Sequence, residues 1–371
     1  MNLVFVANNR LPTEKAHGWQ IAKTCEALAV NGVKVTLITP KVKRYEEVDL
    51  HQYYRLESNF NNIALSVPYL LNLGIIGFSL RSLWLGVKTS WWIREQKIDF
   101  IYSRDLLTLM ICRLFGYKTV WEAHDVRHRL ITYFGLKFTA GLVVITNGLK
   151  QVYNDHFSYF KKILVAADGV EVSDFDLKLT KSEARAKLGL PLNKQLIVYT
   201  GHLYSWKGVD TLAEATKQLT DNQLVVLVGG TEVDLKRFKS AQTNNDRILI
   251  CGHQPHHLIP FYLQAADVLV LPNSGREAIS KYYTSPLKLF EYMASNRPII
   301  ASDLPSIREI LDNDNAFLVP ADEVTILANA IKQTLENEDL ARAKASKAKL
   351  DVTNYTWDKR AERIKRYLQT L

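Results

Sequence analysis

The chain has 371 residues, 47% hydrophobic and 23% charged, with 17 Gly and 11 Pro. At roughly 150 residues per domain this length predicts two or three domains, and the composition excludes intrinsic disorder and collagen-like repeats. Charge is uneven: residues 1–172 hold 21 Lys+Arg against 14 Asp+Glu (net +7), and the remainder adds only +2 of the total +9.

An excess confined to the first half suits an anionic partner such as acidic lipid headgroups, or else a solvated basic surface with no partner. No dense Lys/Arg tract with interleaved aromatics occurs, so no nucleic-acid partner is expected. Cys25, Cys112 and Cys251 are far apart and odd in number, which gives neither a disulfide framework nor a metal spacing and points to a reducing compartment. The start, MNLVFVANNR, lacks the basic-then-apolar pattern of a signal peptide. The expected location is cytoplasmic, extending to the inner face of the membrane.

In chain order, strands are predicted at Leu3–Val6, Val33–Ile38, Phe100–Tyr102, Thr119–Trp121 and Leu142–Ile145. Between the first two, Gly18–Asn31 places Ile21, Ala22, Cys25, Leu28 and Ala29 on one helical stripe. Ser58–Leu80 carries no charge but is too broken by Asn59, Asn61, Asn62 and Pro68 to cross a membrane. The following Phe78–Trp92 reads as a helix bearing Trp84, Trp91 and Trp92 with Arg81 and Lys88. It suits a membrane interface, or half-burial against the first sheet. Further strands are predicted at Leu196–Thr200, Leu224–Val228, Ile248–Cys251, Val268–Leu271, Ile299–Ala301 and Phe317–Val319. Continuous apolar runs of this kind belong to parallel strands buried on both faces. The chain thus reads as α/β, with two Rossmann-like doubly wound domains facing a central cleft. The first spans 1–172, the second 173–354, and a terminal helix at 355–371 is expected to pack back on the first.

Two segments carry chemistry. In Thr284–Ala294, Ser285 reads as an N-cap and Pro286 as the first helical residue. The free N–H groups and positive dipole end of such a helix attract an anion. Lys288 in the first turn opposes that dipole, which makes sense if a phosphate lies over the helix start; Glu291 could accept hydrogen bonds from a vicinal diol. The alternative is a surface Lys–Glu pair on an ordinary helix. The second segment, Tyr199–Gly208, follows a strand. Gly201 there allows close backbone approach and Lys207 supplies charge at a helix entrance.

Gly201-His202-Leu203-Tyr204-Ser205-Trp206-Lys207-Gly208 and Glu291–Asp303 resemble, in this order, motifs of the retaining GT-B glycosyltransferases of family 4 (glycosyl transferases group 1). Asp168-Gly169-Val170, Pro305–Leu311, Pro320–Asp322 and Tyr355-Thr356-Trp357 add weaker echoes. The resemblance implies transfer of a sugar from a nucleotide-diphosphate donor to a glycan or lipid-linked hydroxyl acceptor. Lys207 would contact the diphosphate, the 285–288 helix start would cradle it, Glu291 would hold the ribose, and His253 after Gly252 would lie beside the base. Gly18, Gly201, His202, Ser285, Leu287 and Lys288 complete the implied donor set. His124 resembles the strand-end histidine that faces the donor sugar, and His17, Arg104 and Asp105 fall on the acceptor side, with Asp105 alternatively a helix cap.

The chain also departs from that pattern. The first Glu of the E-x7-E motif falls at Tyr283, and the nearest upstream carboxylate is Glu277; the usual Arg of the glycine loop is His202. Lys288, in an S-P-x-K turn, offers compensation. The implied catalytic set is therefore His124, Lys207, Lys288 and Glu277. Asp174-Phe175-Asp176 and Asp312-Asn313-Asp314 read as solvated turns, so no cofactor and no essential metal are expected. The absence of G-x-S-x-G and G-x-x-x-x-G-K-[ST] disfavours a serine hydrolase or a P-loop NTPase. A nucleotide-sugar epimerase, a phosphorylase and a non-catalytic nucleotide-sugar binder remain open.

Overall fold

The structure, a computed structural model, describes residues 1–41, 48–57, 60–68, 70–126, 129–241 and 245–371. Ser58 and Asn59 of the uncharged stretch lie outside the described residues. The chain divides into one unit of Met1–Asp168 with Trp357–Leu371, and another of Gly169–Thr356.

The first unit is built on strands β1 (Asn2–Val6), β2 (Lys34–Pro40), β3 (Asn61–Leu65), β4 (Phe100–Ser103), β5 (Thr119–Ala123), β6 (Gly141–Val144) and β7 (Ile163–Val165). They form a wholly parallel sheet in the order β3-β2-β1-β4-β5-β6-β7. The central strands are buried on both faces, as their unbroken apolar runs require. Strands β3 and β7, the two edges, are absent from the predicted set: β3 opens with Asn61 and Asn62, and β7 is a run of only three apolar residues. The winding reverses between β1 and β4, so the C-terminal ends of these two strands open the crevice where ligands of such sheets bind.

Helix Trp357–Gln369 completes this unit. Its buried residues Trp357, Arg360, Ala361, Ile364 and Leu368 follow helical spacing and face helix Ala16–Val30. Arg360 donates to Thr24 Oγ1 at 3.1 Å, and Lys365 Nζ to the carbonyl of Asn31 at 2.7 Å. On helix Gly74–Trp92, Leu85 and Arg81 are buried, and Arg81 donates to the carbonyl of Asn8 at 2.8 Å. Trp84 and Trp91 lie on the exposed side, so the helix is half-buried.

The second unit repeats the plan with β8 (Gln195–Thr200), β9 (Gln223–Val228), β10 (Ile248–Gly252), β11 (Val268–Leu271), β12 (Ile299–Ser302) and β13 (Phe317–Val319). All pairs are parallel in the order β10-β9-β8-β11-β12-β13, with the reversal between β8 and β11. Val170 bridges to Thr356 and its N–H reaches the carbonyl of Tyr355 at 3.0 Å, so the outgoing and returning chains run together here.

Candidate functional site

In the second unit, both predicted segments lie at the reversal point. After β8 the chain passes Gly201 (φ +119), forms a short turn at Ser205–Lys207 and enters helix Val209–Ala215 through Gly208 (φ +71). Gly208 is obligatory: a Cβ there would lie 1.7 Å from the carbonyl oxygen of Pro272, just after β11. Ser274 N–H and Ser280 Oγ both donate to the carbonyl of Trp206, at 3.0 and 3.2 Å. The loops after β8 and β11 are therefore one construction.

Helix Leu287–Ala294 faces this loop. Tyr292 Oη accepts from the Thr200 N–H at 2.8 Å, fixing the helix to the end of β8. The helix starts later than the sequence predicts: Pro286 is the N-cap with extended backbone (ψ 123°), and no side chain caps it. The chain reaches Thr284 from a π-helical turn at Ile279–Tyr283 in extended conformation, and Ser285 and Pro286 continue that approach instead of entering the helix. Ser285 is buried, Leu287 half-buried.

Lys288 and Glu291 are both buried, which overturns the alternative of a surface pair. Lys288 Nζ has no hydrogen-bond partner among the described residues and sits 3.5 Å from the ring centre of Tyr199. Half-buried Lys207 holds its ammonium 3.8 Å from the ring centre of Trp206. Burial pushes Lys207 down to about 7. Lys288 is driven well below the ordinary lysine range by burial and then by Lys207, against a smaller opposing pull from Glu291. Two adjacent amines resting on aromatic faces, with no carboxylate in an ion pair with either among the described residues, form a site that gains most from an anion. The backbone at Gly201 leaves the approach to Lys288 clear: a Cβ there would stand 3.7 Å from Nζ.

Glu291 Oε1 lies 3.0 Å from Nε2 of His256, a residue missed in favour of exposed His253, which follows Gly252 at the end of β10. His202 turns Nδ1 toward Asp234 Oδ2 at 3.4 Å and stacks on Tyr204, with centroids 4.9 Å apart. Glu277 is exposed, and its carbonyl accepts the Ser280 and Lys281 N–H groups that start the π turn. Tyr283 is half-buried at the end of that turn. Asn273, also missed, is buried with Oδ1 lacking a hydrogen-bond partner among the described residues.

The first unit gathers a separate polar cluster where its own winding reverses. Glu122 on β5 is buried, accepts from Gln20 Nε2 (2.8 Å) and from the Tyr102 hydroxyl, and forms an ion pair with Arg360, whose Nη2 is 3.0 Å away. His124 Nε2 lies 2.6 Å from Glu122 Oε1. Burial opposes ionisation of Glu122, yet Arg360, His124 and Arg104 together hold it well below the usual carboxylate range. Burial and Arg104 lower His124, and the same two causes push His17 down to about 4. Gly18 has a packing reason for being glycine, since a Cβ there would meet the Tyr54 hydroxyl at 2.2 Å. Asp105 is the helix cap that its position allowed. Its Oδ1 accepts from Leu107 N–H (3.2 Å), and Oδ2 accepts from Thr108 Oγ1 (2.8 Å) and Asn8 Nδ2 (3.1 Å). Among the described residues no group of three or more His, Cys, Asp or Glu could hold a metal ion.

Comparison with known proteins points the same way. Residues 180–351 match the family described as glycosyl transferases group 1. A teichuronic acid biosynthesis glycosyltransferase of Bacillus subtilis is 32% identical over 164 residues, 44% of this chain and 39% of that protein. An Escherichia coli UDP-Gal:alpha-D-GlcNAc-diphosphoundecaprenol alpha-1,3-galactosyltransferase is 26% identical over 307 residues, 74% of this chain and 76% of that one. The chain spans less than half the length of the first two curated relatives it matches. Among solved structures, sucrose-phosphate synthase from Thermosynechococcus elongatus superposes with a TM-score of 0.80 at 18% identity, covering 100% of this chain and 98% of that one. Anabaena HepE in complex with UDP gives 0.79 at 16%, covering 100% of both. Residues 180–351 thus resemble the glycosyl transferases group 1 family, and the chain has the GT-B fold of two Rossmann-like domains.

Proposed function

We propose that the chain is a retaining glycosyltransferase that moves a hexose from a nucleotide-diphosphate sugar to a hydroxyl of a glycan or lipid-linked acceptor. The observation that carries this reading is the pair of unneutralised amines, Lys207 and Lys288, beside Gly201 and a helix start. In the proposed reaction the bond from the anomeric carbon to the diphosphate breaks, and the diphosphate leaves with both lysines protonated against it. The acceptor oxygen attacks the same face of the sugar, and its proton passes to the departing phosphate oxygen. Positive groups already oriented for the departing charge need no reorganisation during the reaction. Glu291, with His256, serves the ribose; His253 serves the base; Gly201, His202, Ser285 and Leu287 line the donor. His124 addresses the sugar, and His17 and Arg104 the acceptor. No metal is required, because lysines and backbone N–H groups supply the neutralisation.

Relatives that act in teichuronic acid biosynthesis and on a diphosphoundecaprenol-linked acceptor support a role in polysaccharide or lipid-linked glycan assembly near a membrane. A non-catalytic nucleotide-sugar binder is the second reading, favoured by Tyr283 at the carboxylate position and by the exposed setting of Glu277.

The test is a thermal-shift panel of UDP-, GDP- and ADP-sugars on the wild type and on Lys207→Ala and Glu291→Ala, followed by transfer assays. A donor that stabilises only the wild type, with nucleoside diphosphate released only when acceptor is present and the α-configuration kept, supports the transferase. A change of donor stereochemistry without any acceptor would indicate an epimerase. Binding without turnover would indicate the binder.

A further inference from the structure

Beyond β3 the first unit winds in one direction through β4, β5 and β6 to β7, so right-handed crossovers lay helices Gly74–Trp92, Leu106–Leu114, Arg129–Lys137 and, at the sheet edge, Asn147–His156 with its exposed Asp155 on one face of the sheet; the first three form the layer considered next. Helix Ala16–Val30 and the terminal helix that packs on it lie on the other face. The three helices are close-packed neighbours. A Cβ on Gly86 would come 2.8 Å from Ile111 Cβ, and one on Gly135 would run into the Leu106 side chain.

The outer surface of this layer has an unusual composition. None of the three helices contains an Asp or a Glu. Each turns large apolar side chains to solvent: Ile75 (86% exposed), Trp84 and Trp91 on the first, Leu114 (68%) on the second, Leu130 (64%) and Phe134 on the third. Exposed Lys88, Arg113 and Lys137 are interspersed with them. The nearest following acid, Glu95, is paired with Arg94 at 3.2 Å. Arg81, which the sequence reading counted with this basic set, is buried and does not belong to it. Helix Gly74–Trp92 is no membrane span; among the described residues no helix is long and apolar enough to cross a bilayer.

We propose that this three-helix layer is a monotopic docking face for an anionic lipid bilayer. Bulky apolar side chains would insert to the level of the headgroup–acyl boundary while the cations meet lipid phosphates. Apolar burial and electrostatic attraction act together at such an interface, and neither suffices alone. Charge complementarity selects the occupant. A surface of interspersed cations with no acid in any of its three helices matches a sheet of uniform negative charge. A second copy of the same cationic face would repel it. The inference deepens the membrane-proximal part of the proposed function. It does not depend on sugar transfer, so the two fail separately.

The experiment is flotation of the wild-type chain with vesicles of phosphatidylcholine mixed with phosphatidylglycerol, against phosphatidylcholine alone. Two variant sets are compared: Ile75→Gln with Trp91→Ser and Phe134→Ser, and Lys88→Glu with Lys137→Glu. All five side chains are exposed, and unchanged circular dichroism and melting temperature establish that the variants fold. The expected result is binding to the anionic vesicles only, weakened about tenfold or more by either set, and lost by the wild type at high salt. Wild-type protein that stays unbound with anionic vesicles overturns the proposal, as does unchanged binding by the variants. A salt-resistant dimer abolished by the apolar set, seen by analytical ultracentrifugation without vesicle binding, would reassign the face to contact between copies.

Discussion

Arg360, on the terminal helix, places Nη2 3.0 Å from the carboxylate of Glu122 in the middle of the first sheet, with both side chains buried. Tyr102, Gln20 and His124 complete the shell around Glu122. Removing one partner of such a pair strands the other as a buried charge, at a cost of about 3–5 kcal/mol. Arg360→Met should lower urea stability by that order, and adding Glu122→Gln should recover much of the loss. A double variant as unstable as the single one would show that the pairing is not the cause. The folded-state acidity of Glu122 is held below its unfolded value, so its stabilisation is complete above about pH 4 and disappears as pH falls through the lowered value.

Lys288 should trade stability for binding. Its amine is buried with no hydrogen-bond partner among the described residues, so Lys288→Met removes an uncompensated polar group and keeps most of the volume. Melting should show a gain of about 1 kcal/mol. Calorimetry should show nucleoside-diphosphate affinity falling about tenfold or more. A variant that is less stable and still binds would contradict the assigned role.

Binding of a diphosphate should take up protons. With Lys207 pushed down to about 7 and Lys288 held well below the ordinary lysine range, a polyanion favours the charged form of both. Affinity should therefore decline as pH rises above about 7, by up to about tenfold per unit for each amine still to be protonated. Calorimetric titrations in buffers of different ionisation enthalpy measure the uptake directly. A pH-independent affinity between neutral and mildly alkaline conditions would exclude the linkage.

Gly208→Ala should damage the second unit at a defined place. The position needs φ +71°, which costs a non-glycine residue about 1–2 kcal/mol, and a Cβ would also collide with Pro272. We expect a lower melting temperature together with weaker nucleoside-diphosphate binding, because the displaced loop carries Lys207. Retention of both would mean that the loop relaxes without moving the lysine.

The sheet plan was legible because buried parallel strands write themselves as unbroken apolar runs. β3 hides because Asn61 and Asn62 break its run, whereas β7, Ile163–Val165, is a short apolar run that the predicted set leaves out. The placing of a cation, Lys288, against a helix dipole was also readable, since local electrostatics disfavours it without an anion. The start of that helix was misplaced because Ser285 and Pro286 satisfy local capping rules, whereas the chain arrives from the π turn at Ile279–Tyr283 in extended form. His256, Asn273 and Arg360 left no local trace. Their positions depend on strands and helices far away in sequence, and only the buried spacing of Trp357, Ala361, Ile364 and Leu368 hinted that Arg360 points inward.

The first unit is assembled from two separated stretches of chain, with the whole of Gly169–Thr356 intervening. During synthesis Glu122 leaves the ribosome long before Arg360 exists. The second unit, one uninterrupted stretch, is free to mature first. A released chain that ends at Thr356 should therefore resist proteolysis in its later half and remain cleavable in its earlier one, the reverse of the usual N-to-C order.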